Sequence, residues 1–314
     1  MLTAETLEYT YPMSEKYLKA NGLRLAYDEF GESDKPVILL IMGLGTQMIA
    51  WPEEFCEGLA ARGYRVIRFD NRDIGLSEKM EGEQAPHALK LAAYARLKRP
   101  LKVPYRLHDM AEDTIGLMDA LDISAAHIVG ASMGGMIAQL VAGHFPWRVL
   151  SLTSIMSTSG ASSVPRVDPR ISLHMVRRPT SGGPEALQEY AMRTWRLIGS
   201  PGYPPTDEAL REKLARSYQR SYYPPGHTRQ MAAIIASGDR VSVLKKIMAP
   251  TLVIHGKADP LVPVEGGIDT ARHVRGARLE LIEGMGHDLP QPLLAHFVEL
   301  IGSHADKALA TATA

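Results

Sequence analysis

The run Gly-Ala-Ser-Met-Gly-Gly at residues 130–135 places a serine between glycines, directly after an apolar segment and directly before a helical pattern. A serine in this strand-turn-helix context occupies a sharp, strained turn, and glycines two residues to either side avoid clashes with neighbouring backbone. The turn exposes the hydroxyl of Ser132, so the pattern predicts a catalytic nucleophile. An ordinary turn serine is the alternative, because a bare Gly-x-Ser-x-Gly arises by chance in many proteins.

A serine hydroxyl is a poor nucleophile until an imidazole accepts its proton and a carboxylate orients that imidazole. His287 lies in a loop directly after the last predicted strand, and Asp259 lies in a turn just past a strand predicted at residues 251–254. The carboxyl ends of parallel strands meet at one edge of a sheet, so both loops can reach Ser132 there. The chain order Ser132, Asp259, His287 predicts a Ser-His-Asp triad.

Two neighbouring residues compete for these roles. Asp288 adjoins His287, but a carboxylate in the next position of a loop cannot easily reach across to the ring, so we interpret it as a surface or loop-bracing residue. His255 ends a core strand and is interpreted as a structural, hydrogen-bonded histidine.

Acyl transfer also needs at least two donors that converge on a developing oxyanion. The amide of Met133, directly after the nucleophile, is one candidate. The amide of Leu44 is the other, in the loop that follows a strand predicted at residues 37–42. Gly43 and Gly45 let this loop come close to a ligand, with a plain glycine-rich turn as the alternative. The loop lacks the pattern of a phosphate-binding loop.

Three residues near the predicted sheet edge are candidate substrate-binding residues: Gly43, Trp51 and Met156. Gly43 lies beside the candidate oxyanion donor, and Trp51 could line an apolar acyl pocket. Core packing is the alternative for the tryptophan and the methionine, since methionine commonly fills gaps in cores.

The elements that must position these residues alternate between short apolar runs and longer amphipathic ones, which is typical of a mostly parallel sheet covered by helices in an α/β fold. Strands are predicted at residues 37–42, 64–69, 127–129, 149–155, 251–254 and 278–282, with an antiparallel edge strand at 23–29. Helices are predicted at residues 51–62, 110–121, 133–144, 184–198, 207–218, 267–274 and 292–301.

A long, proline-rich segment interrupts this alternation. Residues 160–238 separate two core strands and contain helical patterns, so we expect a helical cap there, with residues 1–159 and 239–314 forming the core domain. A second long connection, at residues 79–104, is locally basic and either adds to the cap or crosses the surface.

Composition narrows the class of partner. Lys and Arg together number 35, as do Asp and Glu, which argues against nucleic acid and anionic membranes as partners. Cys56 is the single cysteine and the N-terminus lacks the basic-then-apolar order of a signal peptide, so a cytoplasmic location is predicted. No His or acidic pair has ligand spacing on a predicted helix, so we expect neither a metal nor a cofactor. The expected partner is a small-molecule ester, and the sequence indicates no oligomeric state.

Four motifs together resemble the α/β-hydrolase superfamily: the runs at residues 70–77, 130–135, 255–260 and 284–288. The resemblance covers residues 23–301. Residues 41–45 with Trp51-Pro52, and residues 284–290, are similar to bacterial carboxylesterases of the aclacinomycin methylesterase-like group. The resemblance implies an eight-stranded sheet, a cap between the sixth and seventh strands, and a Ser-Asp-His triad.

Two positions depart from the family pattern. Met42 stands where a histidine usually precedes the oxyanion residue, which removes a side-chain bond but leaves the backbone donor at Leu44. Asp73 replaces the first glycine of Asp-x-Arg-Gly-x-Gly-x-Ser, in a loop whose Asp70 and Arg72 are interpreted as braces under the site.

We therefore expect a serine carboxylic-ester hydrolase that forms an acyl-enzyme on a small to medium, hydrophobic ester. A perhydrolase, a lactonase and a carbon-carbon bond hydrolase share the triad and stay open as alternatives. A dehalogenase or an epoxide hydrolase is excluded, because these enzymes have Asp where this chain has Ser132. A ligand-binding receptor with vestigial hydrolysis is the alternative from another class.

Overall fold

The computed structural model describes residues 15–86, 90, 101–165, 167–168, 170–171, 174 and 183–312. Its centre is a sheet of eight described strands in the spatial order β1-β2-β4-β3-β5-β6-β7-β8. Strands β1 to β8 are, in chain order, Lys16–Ala20, Leu23–Phe30, Val37–Ile41, Arg65–Phe69, Ala126–Ala131, Val149–Ile155, Thr251–Gly256 and Arg278–Ile282. The β1-β2 and β2-β4 pairs are antiparallel and the other pairs are parallel. The predicted α/β fold with a mostly parallel, eight-stranded sheet is confirmed.

Helices cover both faces of this sheet. Helices α1 to α9 are Glu53–Ala61, Leu107–Ala120, Met133–His144, Gly183–Ile198, Asp207–Arg220, Pro224–Ser237, Val241–Leu244, Glu265–His273 and Leu294–Ala312. Single 3-10 turns lie at Met48–Ala50, Pro146–Arg148 and Gln291–Leu293.

Strand β3 shows how the sheet is buried on both sides. All of its residues are buried, as its uninterrupted apolar sequence predicts. Alternate residues beginning with Val37 join an apolar cluster with α2 and α3, while Ile38 and Leu40 join a second cluster with α1 and α9. Side chains alternate between the faces of a strand, so one short run supplies two cores.

The antiparallel edge of the sheet corrects one prediction. Strand β2 is antiparallel as expected, but β1 pairs outside it and forms the edge. The turn between them, Asn21-Gly22, has φ values of 48° and 80°. Asn-Gly with two positive φ values is typical of a two-residue hairpin, so this pair is the signal from which β1 could have been predicted.

Helices α4, α5 and α6 lie between β6 and β7, inside the segment predicted as a cap at residues 160–238, and α7 follows it. The division into core and cap domains stays a prediction. Residues 166, 169, 172–173 and 175–182 of that segment lie outside the described residues, as do 87–89 and 91–100 of the connection at 79–104. Among the helices that the structure describes, none is long and apolar enough to cross a membrane.

Candidate active site

The end of β5 and the start of α3 form a tight turn at Ser132. The serine has φ 56° and ψ −118°, a conformation that a residue other than glycine adopts only under strain. A Cβ atom at Gly130 would lie 2.1 Å from the carbonyl oxygen of Gly134, and one at Gly134 would lie 2.0 Å from that of Ile41. The close packing around the turn therefore admits only glycine on both sides of the serine.

Hydrogen bonds from the neighbouring strand hold this turn. The amide of Ser132 donates to the carbonyl oxygen of Ile155 at 2.9 Å. Ser157 Oγ donates to the carbonyl oxygen of Ser132 at 2.8 Å. Ser157 was not predicted, because a serine after a buried strand has no local feature that marks it as a support.

His287 and Asp259 lie beside the serine, on the loops that follow β8 and β7. His287 Nε2 is 2.9 Å from Ser132 Oγ, and His287 Nδ1 is 2.7 Å from Asp259 Oδ2. The second carboxylate oxygen, Oδ1, accepts the amides of Leu261 and Val262 at 2.9 and 2.8 Å. The structure brings the three residues into one hydrogen-bonded chain, in which the imidazole is placed to accept the serine proton.

The electrostatics of Asp259 suit a group that orients a histidine. Burial would raise the pKa of Asp259, but the neighbouring His287 and His255 and the amide of Val262 lower it to about 2. The carboxylate is therefore ionised at neutral pH. An ionised carboxylate accepts a hydrogen bond from Nδ1–H, which leaves the unprotonated Nε2 facing the serine hydroxyl.

The two candidate oxyanion donors lie in segments next to the serine: Met133 follows it in the chain, and Leu44 follows Gly43 in the loop after β3. A Cβ atom at Gly43 would lie 3.5 Å from Ser132 Oγ, so the loop after β3 passes directly beside the hydroxyl. Within the described part of the chain, neither the amide of Leu44 nor that of Met133 donates to an acceptor. Met133 is also the first residue of α3, where the helix dipole favours negative charge. Unbonded amides beside a nucleophile can stabilise an oxyanion.

Asp288 braces the loop that carries His287. It is buried, and Ser200 Oγ donates to its carboxylate while accepting the amide of Gly286 at 2.8 Å. The amide of His287 itself donates to the carbonyl oxygen of Ile198 at 2.7 Å. Asp288 thus has the loop-bracing contacts that the sequence suggests, and it is not a surface residue.

The other rival of the triad, His255, is buried at the end of β7. Its Nε2 lies 2.8 Å from the carbonyl oxygen of Val262. The bond holds the turn that carries Asp259, which is a structural arrangement.

The candidate substrate contacts separate into two groups. Gly43 lies beside Ser132, as described above, and contact with a substrate stays a prediction. Trp51 is fully buried and stacks on Phe55 with 5.4 Å between ring centroids. Met156 is also buried and belongs to the same apolar cluster. The structure therefore places both large side chains in the core.

The loop after β4 is braced as the sequence predicts. Asp70 accepts the amides of Met48 and Leu76 at 2.7 and 2.9 Å. Arg72 makes two bonds of 2.5 Å to the carboxylate of Asp113 on α2. These contacts hold the loop after β4 to α2 and to the loop after β3.

The same loop ties the inserted helices to the core. Arg220 of α5 forms an ion pair with Asp70, with 2.7 Å between Nη2 and Oδ2. Arg229 of α6 donates to both carboxylate oxygens of Asp73 at 2.7 and 2.8 Å. Asp73, the residue that departs from the family glycine, has φ 71°. A glycine would adopt this backbone without strain, whereas Asp73 adopts it under strain and forms a buried ion pair with Arg229.

A cavity of about 340 Å³ lies between the inserted helices and the loops of the core. Gly45, which follows the candidate oxyanion donor, is part of its wall. The triad side chains are not part of this wall. The cavity therefore lies next to the oxyanion loop and not directly around the triad. Its wall comprises Gly45, Gln47, Ile74, Glu185, Leu187, Gln188, Ala191, Leu214, Ala215, Ser217, Tyr218, Gln219, Ser221, Tyr222 and Tyr223. Among the described side chains, no group of three His, Cys, Asp or Glu residues could hold a metal ion.

Known proteins resemble this chain over most of its length. The sequence profile of the alpha/beta hydrolase fold matches residues 36–178. Rhodomycin D methylesterase DauP of Streptomyces sp. (strain C5) is 30% identical over 307 residues, which cover 90% of this chain and 96% of that protein. The 3-oxoadipate enol-lactonase 2 of Acinetobacter baylyi is 27% identical over 271 residues, covering 85% of this chain and 87% of that protein.

A solved structure shows the same fold. The meta-cleavage product hydrolase of Pseudomonas fluorescens superposes with a TM-score of 0.72 over 93% of this chain and 98% of that chain. The two sequences are 21% identical, so this likeness concerns the fold alone.

Proposed function

The chain is an esterase-type hydrolase of the α/β-hydrolase family, and we propose from this premise that it hydrolyses carboxylic esters with Ser132 as the nucleophile. His287 acts as general base and acid, and Asp259 orients it. The strongest support is the continuous hydrogen-bonded chain from Ser132 Oγ through both nitrogens of His287 to Asp259.

The first half-reaction forms an acyl-enzyme. His287 Nε2 takes the hydroxyl proton as Ser132 Oγ attacks the carbonyl carbon of the ester. The negative charge that develops on the carbonyl oxygen is stabilised by the amides of Leu44 and Met133. His287 then gives its proton to the departing alcohol oxygen, and the acyl group remains on Ser132.

The second half-reaction releases the acid. Water gives a proton to His287 as its oxygen attacks the acyl carbon, and the same two amides stabilise the second oxyanion. When this intermediate collapses, the carbon-Oγ bond breaks and Ser132 regains its proton from His287. The acid product leaves, and the site returns to its starting state.

We propose a small to medium ester with an apolar portion as the substrate. The cavity beside the oxyanion loop has a volume of about 340 Å³, and its wall combines aliphatic side chains with three tyrosines. Apolar walls with a few polar groups are typical of small-molecule sites. The relative named a methylesterase supports a methyl ester as the bond that is cleaved.

Turnover of short p-nitrophenyl esters tests the nucleophile. We expect Ser132→Ala to lower kcat by at least about 10³-fold while the melting temperature and circular dichroism stay close to those of the wild type. Ser303→Ala, on α9 at the opposite side of the sheet from α3, is the matched control and should retain full activity. Turnover by Ser132→Ala at the wild-type rate would refute the assignment.

A cavity-filling variant tests the substrate site. Ala191 on α4 lines the cavity, so Ala191→Phe should raise KM for esters with long apolar groups by about tenfold and leave that for acetates within about twofold. Arg193→Ala, on the exposed face of the same helix, should change neither value. Equal effects of Ala191→Phe on long and short esters would contradict binding in this cavity.

A lactone is the second candidate substrate, because the enol-lactonase relative covers most of this chain. Ring opening begins with the same attack on a carbonyl carbon, so the triad serves both reactions. The ratio of kcat/KM for open-chain esters to that for lactones decides between them. Parallel assays of peroxide-dependent halogenation and of carbon-carbon bond hydrolysis test the remaining alternatives.

A further inference from the structure

Gln230 on α6 is fully buried and joins two loops of the core. Its Oε1 accepts the amide of Gly45 at 2.8 Å. Its Nε2 donates to the carbonyl oxygen of Arg72, also at 2.8 Å. One side chain of the inserted segment therefore connects the loop after β3 to the loop after β4.

Gly45 belongs to the turn that contains the proposed oxyanion donor. The amide of Thr46 donates to the carbonyl oxygen of Gly43 at 3.3 Å, which closes a four-residue turn, and Gly45 has φ 64°. Gln230 binds the N–H of the central peptide of this turn, between Leu44 and Gly45. The carbonyl oxygen of the same peptide accepts Thr46 Oγ1 at 3.1 Å. The central peptide is thus held on both sides. The Leu44 amide belongs to the preceding peptide, which is joined to the central one through a single Cα atom and is itself bonded to Thr46 through the carbonyl oxygen of Gly43, so fixing the turn on both sides limits the rotation of the Leu44 amide.

We propose that Gln230 is a positioning residue for the oxyanion hole. By fixing the central peptide of the turn at residues 43–46, it aims the amide of Leu44 at the place where the carbonyl oxygen acquires charge. This role rests on the ester hydrolysis proposed above. Donors that are held in place before the reaction contribute most to stabilising the transition state, so a small rotation of the turn is costly to the rate.

The chemistry of the two partners explains why the residue is glutamine. The amide of Gly45 requires an acceptor and the carbonyl oxygen of Arg72 requires a donor, and a carboxamide offers both in one planar group. A glutamate would accept from Gly45 but place a carboxylate oxygen against the carbonyl oxygen of Arg72. A methionine of similar length would form neither bond.

The attachment of α6 to the core has a separate basis. Arg229 already anchors the helix through its two bonds to Asp73. Gln230 bonds to the oxyanion turn, whereas the bonds of Arg229 go to Asp73, to the carbonyl oxygen of Glu83 and to the hydroxyl of Tyr223. Substitutions at these two neighbouring residues therefore separate the positioning of the turn from the attachment of the helix.

The experiment compares Gln230→Met with Arg229→Lys. In Gln230→Met we expect kcat for p-nitrophenyl acetate to fall about 10- to 100-fold, with KM within about twofold, because the loss of a complete oxyanion donor costs about 10²- to 10³-fold. The affinity for a trifluoromethyl ketone, whose adduct carries an oxyanion, should fall by the same factor as kcat/KM. In Arg229→Lys the melting temperature should fall while kcat and inhibitor affinity stay within about twofold.

A second variant covers the case in which Gln230→Met does not fold. Gln230→Glu keeps the acceptor for Gly45, so kcat and inhibitor affinity should fall together by about 3- to 10-fold. The role of Gln230 would be overturned if the folded Gln230 variants bound the inhibitor as tightly as the wild type does. It would also be overturned if Arg229→Lys lost as much inhibitor affinity as the Gln230 variants. Failure of the proposed function differs from this: the wild-type protein itself would then show no ester turnover and no fluorophosphonate label on Ser132.

Discussion

Asp73 stands where the family pattern has glycine, and restoring that glycine tests what the exchange achieves. The buried carboxylate receives two bonds from Arg229, a third, of 2.7 Å, from the hydroxyl of Tyr105 and a fourth, of 2.8 Å, from the amide of Met80. Asp73→Gly relieves the left-handed backbone, worth about 1 kcal/mol. It also leaves the guanidinium of Arg229 buried without its carboxylate, which costs about 3–5 kcal/mol. We expect a net loss of about 2–4 kcal/mol in the free energy of unfolding.

Chemical and thermal unfolding measure this loss. At about 2 °C per kcal/mol for a chain of this size, the melting temperature should fall by about 4–8 °C. Asp122→Gly is the matched control, because Asp122 also has a positive φ, 55°, but is exposed. It should be as stable as the wild type or up to about 1 kcal/mol more stable. An Asp73→Gly protein with unchanged stability would refute the view that Asp73 is an ionic anchor.

Three further substitutions test the site. Gly134→Ala places a Cβ atom 2.0 Å from the carbonyl oxygen of Ile41, so the free energy of unfolding should fall by about 3 kcal/mol or more. Asp259→Asn should keep the fold and lower kcat by about 10⁴-fold. Because the pKa of Asp259 is lowered to about 2, its contribution to stability is complete above about pH 4 and is lost as the pH falls through 2. Between pH 5 and 2 the free energy of unfolding of the wild type should therefore fall by about 2 kcal/mol more than that of Asp259→Asn. Ser200→Ala frees the loop of His287, and steady-state assays should show kcat about tenfold lower with KM unchanged.

The parallel core was predictable because strands buried on both faces are uninterrupted apolar runs. The predicted bounds of β6, β8 and α3 agree with the structure. The serine turn was equally accessible, since its glycines are imposed by contacts within a few residues of Ser132 and with the adjacent strand. Local patterns thus contained most of the information about the core and about the loops at its carboxyl edge.

Features that depend on distant contacts and have no local sequence signal were not predictable. Gln230 bonds to Gly45 across 185 residues of sequence, and a glutamine within a helix has no local mark of such a role. Ser200 supports the loop of His287 in the same way. Helix α6 was not predicted either; it begins with Pro224 and Pro225, and proline is tolerated in the first turn of a helix.

Trp51 and Met156 show a different limit. Large apolar residues near a sheet edge fit either a substrate pocket or the core, and only their packing distinguishes the two. Both side chains are buried within the cluster beneath α1 and α9. No feature of the described residues tests the predicted cytoplasmic location, which stays a prediction.

Covalent labelling tests the central claim most directly. A fluorophosphonate reacts with a serine only where a base and an oxyanion hole activate it. After reaction of the folded wild-type protein, peptide mapping by mass spectrometry should find one adduct, on Ser132. The adduct should be absent in Ser132→Ala and should form at least about 100-fold more slowly in His287→Ala. A folded wild-type protein that carries no adduct, or carries it on another residue, would contradict the assignment of Ser132 as the nucleophile.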